Sequence, residues 1–338
     1  MRMLMLGGTQ FVGHAVVADA VARGWDVTVA NRGRSGPPPT GARHVTIDRL
    51  GESPYGALAD ESYDVVVDTW SAAPSVVRDA ARALADRADR WVYVSSRSVY
   101  AWPPARGADE SAPVVEGDPD AEATEYPQDK RGGELAVERE LGPDRVISLR
   151  AGLILGPRDN VGRLPWWLRR MARGGRTIAP DRPGLGVQYV DPRDLARLGL
   201  DAAAAGRYGP VDVVCPVGTR TLGDVLRTCV EVTGSDADLV WVDPAFLLER
   251  DVVPWMELPV WLPESEEAYA LHTSDVGRAL DWGLRIRPLE ETVADCWAWV
   301  QEVDAAGTAP PPRDDIGLDP AKEAALLAAW DERGQPSE

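Results

Sequence analysis

Tyr126 and Lys130, four residues apart in the segment EYPQDKRGGE, have side chains that can carry out acid–base chemistry. Pro127 suits the first turn of an α-helix, and helical residues four apart lie on one face. A phenol, with a pKa of about 10, is a poor base at neutral pH, but a neighbouring ammonium favours the phenolate. Such a tyrosine can exchange a proton with a substrate oxygen while hydride moves to or from a nicotinamide. Only Lys130 and Lys322 among the 36 basic residues are lysines, which indicates that a compact ammonium is needed here.

A glycine-rich turn near the start of the chain, MLGGTQFVGH, is a candidate for binding the pyrophosphate of a dinucleotide. It follows a predicted strand and opens a predicted helix, so backbone N–H groups and the helix N-terminus would face the phosphates. Gln10 stands where many such turns have glycine, so its side chain must point away or bond the phosphate itself. The alternative is a tight turn without a ligand. The predicted cofactor contacts in this turn are Gly7, Gly8, Thr9, Gln10, Phe11, Val12 and Gly13.

The end of the second predicted strand, ANRGR, bears on the type of dinucleotide. A carboxylate at this place binds the ribose 2′-OH of NAD, whereas an arginine accommodates the 2′-phosphate of NADP. Asn31 is neutral and both Arg32 and Arg34 are cationic. The sequence therefore favours NADP over NAD, although both arginines could be ordinary surface charges. Asp48, after the third predicted strand, is placed to meet the adenine.

The elements that must position these residues alternate between short apolar strands and helices over the first 215 residues. The predicted strands are RMLML, WDVTVAN, RHVTID, YDVVVDTW, RWVYVSS, RVISLRAG and PVDVVC, and the helices include FVGHAVVADAVARG and PSVVRDAARALADR. This alternation predicts a Rossmann-type, doubly wound parallel α/β sheet. The strand RWVYVSS ends at Ser96, at the sheet edge where such folds bind ligands, so a hydroxyl there can bond the substrate oxygen.

The second half of the chain changes character and predicts a smaller, mixed α/β substrate lobe. The predicted dinucleotide domain comprises 1–157 and about 187–215, and the predicted lobe about 158–186 and 216–305, followed by a linker and a C-terminal helix in 306–338. Trp166 and Trp167 are candidates to line an apolar substrate pocket. The alternative is that each tryptophan packs in the core of the lobe.

The bulk composition excludes several classes of partner. A net charge of −18 argues against nucleic acid and anionic membrane surfaces, and no apolar run is long enough to cross a bilayer. The widely spaced Cys215, Cys229 and Cys296 suit a reducing compartment, so we expect a cytoplasmic protein. The three histidines show no ligand spacing, so we predict no metal site. The expected partner is a small-molecule substrate.

Several motifs together resemble the extended short-chain dehydrogenase/reductase family, also called the NAD-dependent epimerase/dehydratase family. They are GGTQFVG, Asp48, SSRSVY, YPQDK, LRAGLILGPRD and QYVDPRDLA, in this order from residue 4 to about 195. The first is similar to a subgroup that begins with GGT-x-F-x-G. The resemblance implies that Ser96, with Ser95 as the alternative, is catalytic and contacts substrate. It also implies that Tyr126 is the acid/base and contacts the cofactor, and that Lys130 lowers its pKa and binds the nicotinamide ribose.

The resemblance implies further contacts and one exclusion. Asp48 and the segment Asp68, Thr69 and Trp70 would contact the cofactor, and Arg158 and Asp159 would lie at the rim of the substrate site. Sugar-nucleotide dehydratases of the family carry Asp-Glu after the catalytic threonine, whereas this chain has Arg97 and Ser98, so a 4,6-dehydratase is not expected.

Relatives of this kind often form a homodimer through the helix that carries the tyrosine. Gly132 and Gly133 would permit close contact between two such helices, or would instead let the helix approach the cofactor.

Three functions follow from these observations. The favoured one is an NAD(P)-dependent oxidoreductase that transfers hydride between a nicotinamide cofactor and a carbonyl or alcohol of a small molecule. The second is a nucleotide-sugar epimerase with a retained NAD. The third, from another class, is a dinucleotide-binding sensor without catalysis, against which Ser96, Tyr126 and Lys130 argue.

Overall fold

The computed structural model describes residues 1–311, 313 and 315–333, which form two compact units. The first unit contains Met1–Ile154, Val190–Val214 and Ser274–Ile286, and the second contains Leu155–Tyr189, Cys215–Thr273 and the described residues from Arg287 onward. The prediction assigned 274–286 to the substrate lobe and placed the C-terminal helix outside both parts. The first difference has a physical reason, since Val276, Ala279 and Leu284 pack in the core of the first unit.

The elements are numbered in chain order. The strands are β1 (Arg2–Leu6), β2 (Asp26–Asn31), β3 (Arg43–Thr46), β4 (Val65–Asp68), β5 (Trp91–Ser96), β6 (Val146–Ala151), β7 (Arg176–Pro180), β8 (Gly209–Val213) and β9 (Asp238–Val242). The helices are α1 (Phe11–Ala22), α2 (Pro74–Leu84), α3 (Tyr126–Leu141), α4 (Arg163–Ala172), α5 (Pro192–Ala204), α6 (Leu222–Thr233), α7 (Pro244–Leu248), α8 (Gly277–Asp281), α9 (Leu289–Ala306) and α10 (Pro320–Arg333).

The first unit is built on a seven-stranded parallel sheet in the order β3-β2-β1-β4-β5-β6-β8. Both faces of the sheet are covered. In β1, Met3 and Met5 belong to a core shared with α1 and α5, while Leu4 and Leu6 belong to a core shared with α2 and α3. Alternate residues of a strand point to opposite faces, so burial on both sides requires an uninterrupted apolar strand. The predicted doubly wound Rossmann-type sheet is confirmed.

The second unit contains the parallel pair β7–β9 together with α4, α6, α7, α9 and α10. Its core includes the fully buried side chains of Trp167, Phe246 and Trp261. Across the described residues of both units, no helix combines the length and the apolar character needed to cross a membrane.

Candidate functional site

The turn after β1 has a backbone that only glycine adopts easily. Gly7 and Gly8 have φ angles of +117° and +93°. A Cβ atom on Gly8 would lie within 3.1 Å of the side chains of Met5, Val29 and Val17. A Cβ on Gly13 would lie 2.9 Å from the Gly8 nitrogen, so the turn and α1 are packed against each other. Glycine is therefore required at these positions for the turn to pack against the core and against α1.

Gln10 precedes α1 in an extended conformation, with φ −126° and ψ 150°, and its side chain makes no capping bond. The first intrahelical bond runs from His14 N to Gln10 O, at 3.0 Å. Because no side chain caps α1, the N–H groups of its first turn are available to an anion. Gln10 itself is exposed.

A cleft of about 390 Å³ opens beside this turn. Its walls are formed by Leu6–Gln10, Ala30–Ser35, Ile47–Leu50 and Thr69–Ala72. Of the predicted cofactor contacts, Gly7, Gly8, Thr9, Gln10, Asn31, Arg32, Asp48, Thr69 and Trp70 line it, whereas Phe11, Val12, Gly13, Asp68, Tyr126 and Lys130 do not. Val12 is buried in the core beneath α1. The cleft thus follows the ends of four adjacent strands, β3, β2, β1 and β4.

Asn31, at the end of β2, cross-links the glycine turn to its surroundings. Its Nδ2 donates to Gly7 O at 2.7 Å, and its Oδ1 accepts from Gly33 N at 2.7 Å and lies 3.0 Å from His44 Nε2. The two backbone partners fix the orientation of the amide, because a carbonyl needs a donor and an N–H needs an acceptor. Gly33 N therefore occupies one acceptor position of the Asn31 oxygen, and His44 Nε2 lies against the other and donates to it when that nitrogen carries the proton.

Arg32 and Arg34 follow on the same wall and are exposed. Within the described residues neither guanidinium forms an ion pair or a hydrogen bond. Most arginines of this chain pair with carboxylates instead, as Arg43 does with Glu61. The arrangement offers two unneutralised cations beside the glycine turn.

Asp68 was predicted to contact the cofactor, but its carboxylate is buried away from the cleft. Arg49 binds it in a two-pronged ion pair, with N–O distances of 2.7 and 2.8 Å, and Trp70 N donates to it at 2.9 Å. Burial alone would lower the pKa of Arg49, but the charge of Asp68 raises it above its ordinary value. The Arg49 guanidinium carbon lies 4.9 Å from the centre of the Trp70 ring. Asp68 therefore holds the wall of the cleft in place.

Ser96 is the last residue of β5 and caps the short 3₁₀ turn Arg97–Val99. Its Oγ accepts from Ser98 N at 3.1 Å and lies 3.1 Å from Ser98 Oγ. The preceding hydroxyl, that of Ser95, donates to buried Glu134 at 2.7 Å. Ser95 is thus engaged in the interior.

Tyr126 and Lys130 lie one turn apart at the start of α3. Tyr126 is 47% exposed, whereas Lys130 is 3% exposed. The ammonium donates to Trp70 O at 2.8 Å and to Val94 O at 2.7 Å, and lies 4.9 Å from the centre of the Tyr93 ring. Burial lowers the pKa of Lys130 to about 8, against the opposite effect of nearby carboxylates, of which Asp68 is the largest. The ammonium is therefore held at the ends of β4 and β5.

The two glycines of α3 are accounted for by packing within the chain. A Cβ atom on Gly132 would lie 2.6 Å from Pro74 Cγ and 2.7 Å from Asp118 O. A Cβ on Gly133 would lie 2.4 Å from the Tyr93 hydroxyl. The homodimer stays a prediction, and these glycines no longer argue for it.

Three of the predicted substrate contacts, Arg158, Trp166 and Trp167, belong to the second unit. The fourth, Ser96, belongs to the first unit. Trp167 does not line a pocket, because it is fully buried and its Nε1 donates to Pro259 O at 2.7 Å. Trp166 is half-buried and packs edge-on against Trp167, with ring centres 4.7 Å apart. Arg158 is exposed at a φ of +64°. Trp167 therefore lies in the core, which is the alternative that the sequence had left open.

Asp159, beside Arg158, binds backbone N–H groups of the turn that leads into α4. Its carboxylate accepts from Val161 N at 2.9 Å, Gly162 N at 3.0 Å and Leu164 N at 3.3 Å. Burial raises the pKa of this carboxyl, against the lowering effect of these bonds. Its contacts hold the turn before α4 and one N–H group of the first turn of that helix.

No protein-family model matches the chain, and no curated protein sequence is similar to it. Solved structures do match. A putative epimerase from Burkholderia cenocepacia J2315 has a TM-score of 0.66 at 20% identity, over 89% of this chain and 98% of that one. The UDP-glucuronic acid 4-epimerase from Bacillus cereus in complex with NAD has a TM-score of 0.64 at 14% identity, over 90% and 99%. The Bordetella bronchiseptica enzyme WbmG in complex with NAD and UDP has a TM-score of 0.63 at 17% identity, over 92% and 97%.

The chain shares their fold. The match covers nearly the whole of each neighbour, so both units of this chain have counterparts in those proteins. At these identities the likeness establishes the architecture, and residue roles must come from the site itself.

Sequence reasoning missed three residues that shape the site. Arg49 lies in a loop with no motif, and its pairing with Asp68 depends on two strand ends meeting in the fold. Tyr93 lies within the apolar run of β5 and looks like a core residue, yet its hydroxyl donates to Trp70 O at 3.0 Å. Glu134 could have been suspected, since a helix residue four positions after Lys130 falls on the same face.

Proposed function

We propose that this protein is an NAD(P)-dependent oxidoreductase of the extended short-chain dehydrogenase/reductase type, acting on a carbonyl or alcohol of a small molecule. The observation that carries the proposal is the setting of Lys130, a buried ammonium one helical turn from exposed Tyr126 and fixed by carbonyls at the ends of two parallel strands. Open parallel sheets bind ligands at this edge. A buried lysine costs folding free energy and its pKa is perturbed, and such groups cluster at functional sites.

The residues of the first unit fit a dinucleotide. Gly7 and Gly8 form a tight turn with positive φ angles at the end of β1, and the uncapped start of α1 presents N–H groups to phosphate oxygens. When bound, a nicotinamide dinucleotide supplies or accepts the hydride. In the direction of reduction, Tyr126 gives its phenolic proton to the carbonyl oxygen, and Ser96 donates a hydrogen bond to the same oxygen. The charge of Lys130 stabilises the phenolate that Tyr126 becomes.

NADP is the proposed cofactor, and two features of the end of β2 support it: the hydrogen bonds of Asn31 and the charges of Arg32 and Arg34. A ribose 2′-OH that donates to the end of β2 needs an acceptor, but the Asn31 oxygen already accepts from Gly33 N and lies 3.0 Å from His44 Nε2. Arg32 and Arg34 line the cleft and suit a 2′-phosphate, to which arginine forms charge-assisted bonds.

A nucleotide-sugar epimerase with retained NAD is the second candidate. It is favoured by two structural neighbours, the UDP-glucuronic acid 4-epimerase in complex with NAD and WbmG in complex with NAD and UDP. The same Ser96, Tyr126 and Lys130 would serve it, because epimerisation oxidises and then reduces one alcohol. The two candidates differ in whether the dinucleotide dissociates.

The deciding experiment identifies the dinucleotide. Purified protein is denatured, any released dinucleotide is identified by mass spectrometry, and the protein is titrated with NADPH and NADH. We expect no retained cofactor and tighter binding of NADPH. Replacing Arg32 and Arg34 by serine should weaken NADPH binding by about tenfold to a hundredfold, as expected for a charged hydrogen bond of about 1.5–3 kcal/mol, and should spare NADH. Arg173→Ser, at an exposed arginine of the second unit, is the matched control.

Stoichiometric retained NAD would favour the epimerase. Binding of neither dinucleotide would refute both enzymatic candidates.

Turnover is then tested with a panel of carbonyl compounds and NADPH, where Tyr126→Phe should abolish turnover and keep NADPH binding. The matched control is Tyr208→Phe, since Tyr208 bonds only the Arg90 side chain in the contacts of the described residues. A Tyr126→Phe variant with unchanged turnover would contradict the proposed acid/base role.

A further inference from the structure

Arg97 comes directly after Ser96, yet its side chain lies in the interior of the first unit. It is 2% exposed, and its Nε donates to Asp212 Oδ2 at 3.1 Å. Asp212 is fully buried on β8, which is separated from β5 by β6. Arg97, which follows the Ser96 predicted to contact substrate, therefore reaches past β6 to a residue on β8.

The same carboxylate also holds the other end of this turn. Tyr100 directly follows the 3₁₀ turn Arg97–Val99, and its hydroxyl donates to Asp212 Oδ1 at 2.6 Å. The two oxygens of one buried carboxylate thus bind the residues on either side of Ser98. Ser98 N in turn donates to Ser96 Oγ at 3.1 Å. The Ser96 hydroxyl therefore bonds within a turn whose two ends both bind Asp212.

A second buried carboxylate ties the turn to α3. Arg150 on β6 donates to the Tyr100 hydroxyl at 3.3 Å and binds both oxygens of Glu134 at 2.9 and 3.0 Å. Glu134 lies one helical turn after Lys130 and also accepts from Ser95. Tyr100 and Arg150 therefore connect the turn that carries Ser96 with the helix that carries Lys130.

We infer that Asp212 is a positioning residue for the reaction, which fixes the Ser96 hydroxyl through Arg97 and Tyr100. The inference rests on the proposed function, because Ser96 matters to turnover only if it bonds a substrate oxygen. Asp212 touches no substrate in this role. Removing its charge leaves the buried Arg97 without that carboxylate partner, and the turn is then expected to shift. A displacement of about 1 Å in a catalytic group can reduce the rate by about a hundredfold.

The titration of Asp212 gives an independent readout. The ionisable groups that act on it are Arg97, Tyr100, Glu110 and Arg150. Burial raises the pKa of Asp212 to about 6, with Glu110 adding to the rise and the other three opposing it. Below this pH the carboxyl is protonated and its ion pair with Arg97 is lost, so wild-type turnover should fall as the pH decreases through about 6.

The experiment compares wild type, Asp212→Asn and Glu323→Gln. Asparagine keeps the size of the side chain and an oxygen for Tyr100, but loses the charge. Glu323 is the matched control, because it forms a buried pair with Arg170 in the second unit, with an N–O distance of 2.6 Å. The measurements are NADPH affinity, kcat and KM with an active carbonyl compound, the pH profile, and amide hydrogen exchange at Ser98 and Tyr100.

Asp212→Asn should lower kcat by about tenfold to a hundredfold, leave NADPH affinity unchanged, abolish the acid limb near pH 6 and accelerate exchange at Ser98. Glu323→Gln should lower the melting temperature and leave kcat and that exchange unchanged. An Asp212→Asn variant with wild-type kcat would overturn the inference, as would an equal loss of kcat in Glu323→Gln. If the wild type binds NADPH but reduces no carbonyl, the proposed function fails separately. In that case amide exchange at Ser98 in Asp212→Asn still tests the inference. Faster exchange than in the wild type supports the link from Asp212 to the turn, and unchanged exchange overturns it.

Discussion

The burial of the Lys130 ammonium predicts how the free energy of unfolding of this protein depends on pH. Burial lowers its pKa from the ordinary value of 10.5 to about 8, while Asp68, Glu134 and Asp129 oppose the shift. Between these two pH values the unfolded chain binds more protons at this group than the folded chain does. The free energy of unfolding must therefore rise as the pH rises through this range. Below pH 8 the burial of the charged Lys130 lowers the free energy of unfolding by its full amount, and this loss of stability disappears as the pH approaches 10.5.

The magnitude follows from the two pKa values. The difference between 10.5 and about 8 is worth about 3.4 kcal/mol, since one pKa unit amounts to about 1.36 kcal/mol. Between pH 7 and pH 10 the recovered part is about 2.5 kcal/mol. This is an upper value, because the bonds from the ammonium to Trp70 O and Val94 O favour the charged form in the folded protein.

The assay is urea unfolding of wild type and Lys130→Met at pH 7, 8, 9 and 10. Methionine keeps an unbranched side chain of similar length and removes the charge. The free energy of unfolding of wild type relative to Lys130→Met should rise by up to about 2.5 kcal/mol over this range. Lys322→Met, which removes the only other lysine, controls for the loss of a lysine. Parallel pH curves for wild type and Lys130→Met would refute the reasoning, as would an equal effect of Lys322→Met.

Three other substitutions test separate parts of the structure. Gly133→Ala places a Cβ 2.4 Å from the Tyr93 hydroxyl, so it should lower the free energy of unfolding by about 1–3 kcal/mol in urea; unchanged stability would contradict the close packing. Asn31→Ala frees the Gly7 carbonyl and should weaken dinucleotide binding about tenfold in calorimetric titration; unchanged affinity would show that the turn holds its shape without the amide. Trp167→Phe should lower the free energy of unfolding by about 1–3 kcal/mol without changing KM for an active carbonyl compound, and an altered KM at unchanged stability would return Trp167 to the substrate pocket.

The fold of the first unit could be predicted because its strands carry local signals. The uninterrupted apolar runs 3–6 in β1 and 65–67 in β4 indicated burial on both faces, and the structure places Met3 and Leu4 in cores on opposite faces of the sheet. The segment 274–286 gave no such signal. Its helix, α8, has five residues, too few to show a helical period, and only the fold brings Ala279 and Leu284 into the first core.

The site was predictable where it depends on spacing along the chain and unpredictable where it depends on contacts between distant segments. The positions of Gly7 and Gly8 after β1, and of Lys130 in the first turns of α3, follow from local sequence. The burial of Asp68 does not, because its partner Arg49 is 19 residues away and meets it only through the sheet. The type of residue also left Trp167 undecided, since a large apolar side chain suits a pocket and a core equally well.

Ser95 and Ser96 show how a local rule and a distant contact together separate two roles. Adjacent residues in a strand point to opposite faces, so at most one of these hydroxyls can face a substrate at the same place. From the sequence, only the resemblance to the family favoured Ser96 over Ser95. In the structure Ser95 donates to Glu134, which Arg150 binds through both oxygens, so moving this serine would break a buried charged contact. Among the described residues, the Ser96 hydroxyl bonds only within the turn that it caps, where the neighbouring Ser98 hydroxyl can rotate. The candidate for contact with substrate is therefore the serine with the weaker partners, and the role of its neighbour is to hold the strand against α3.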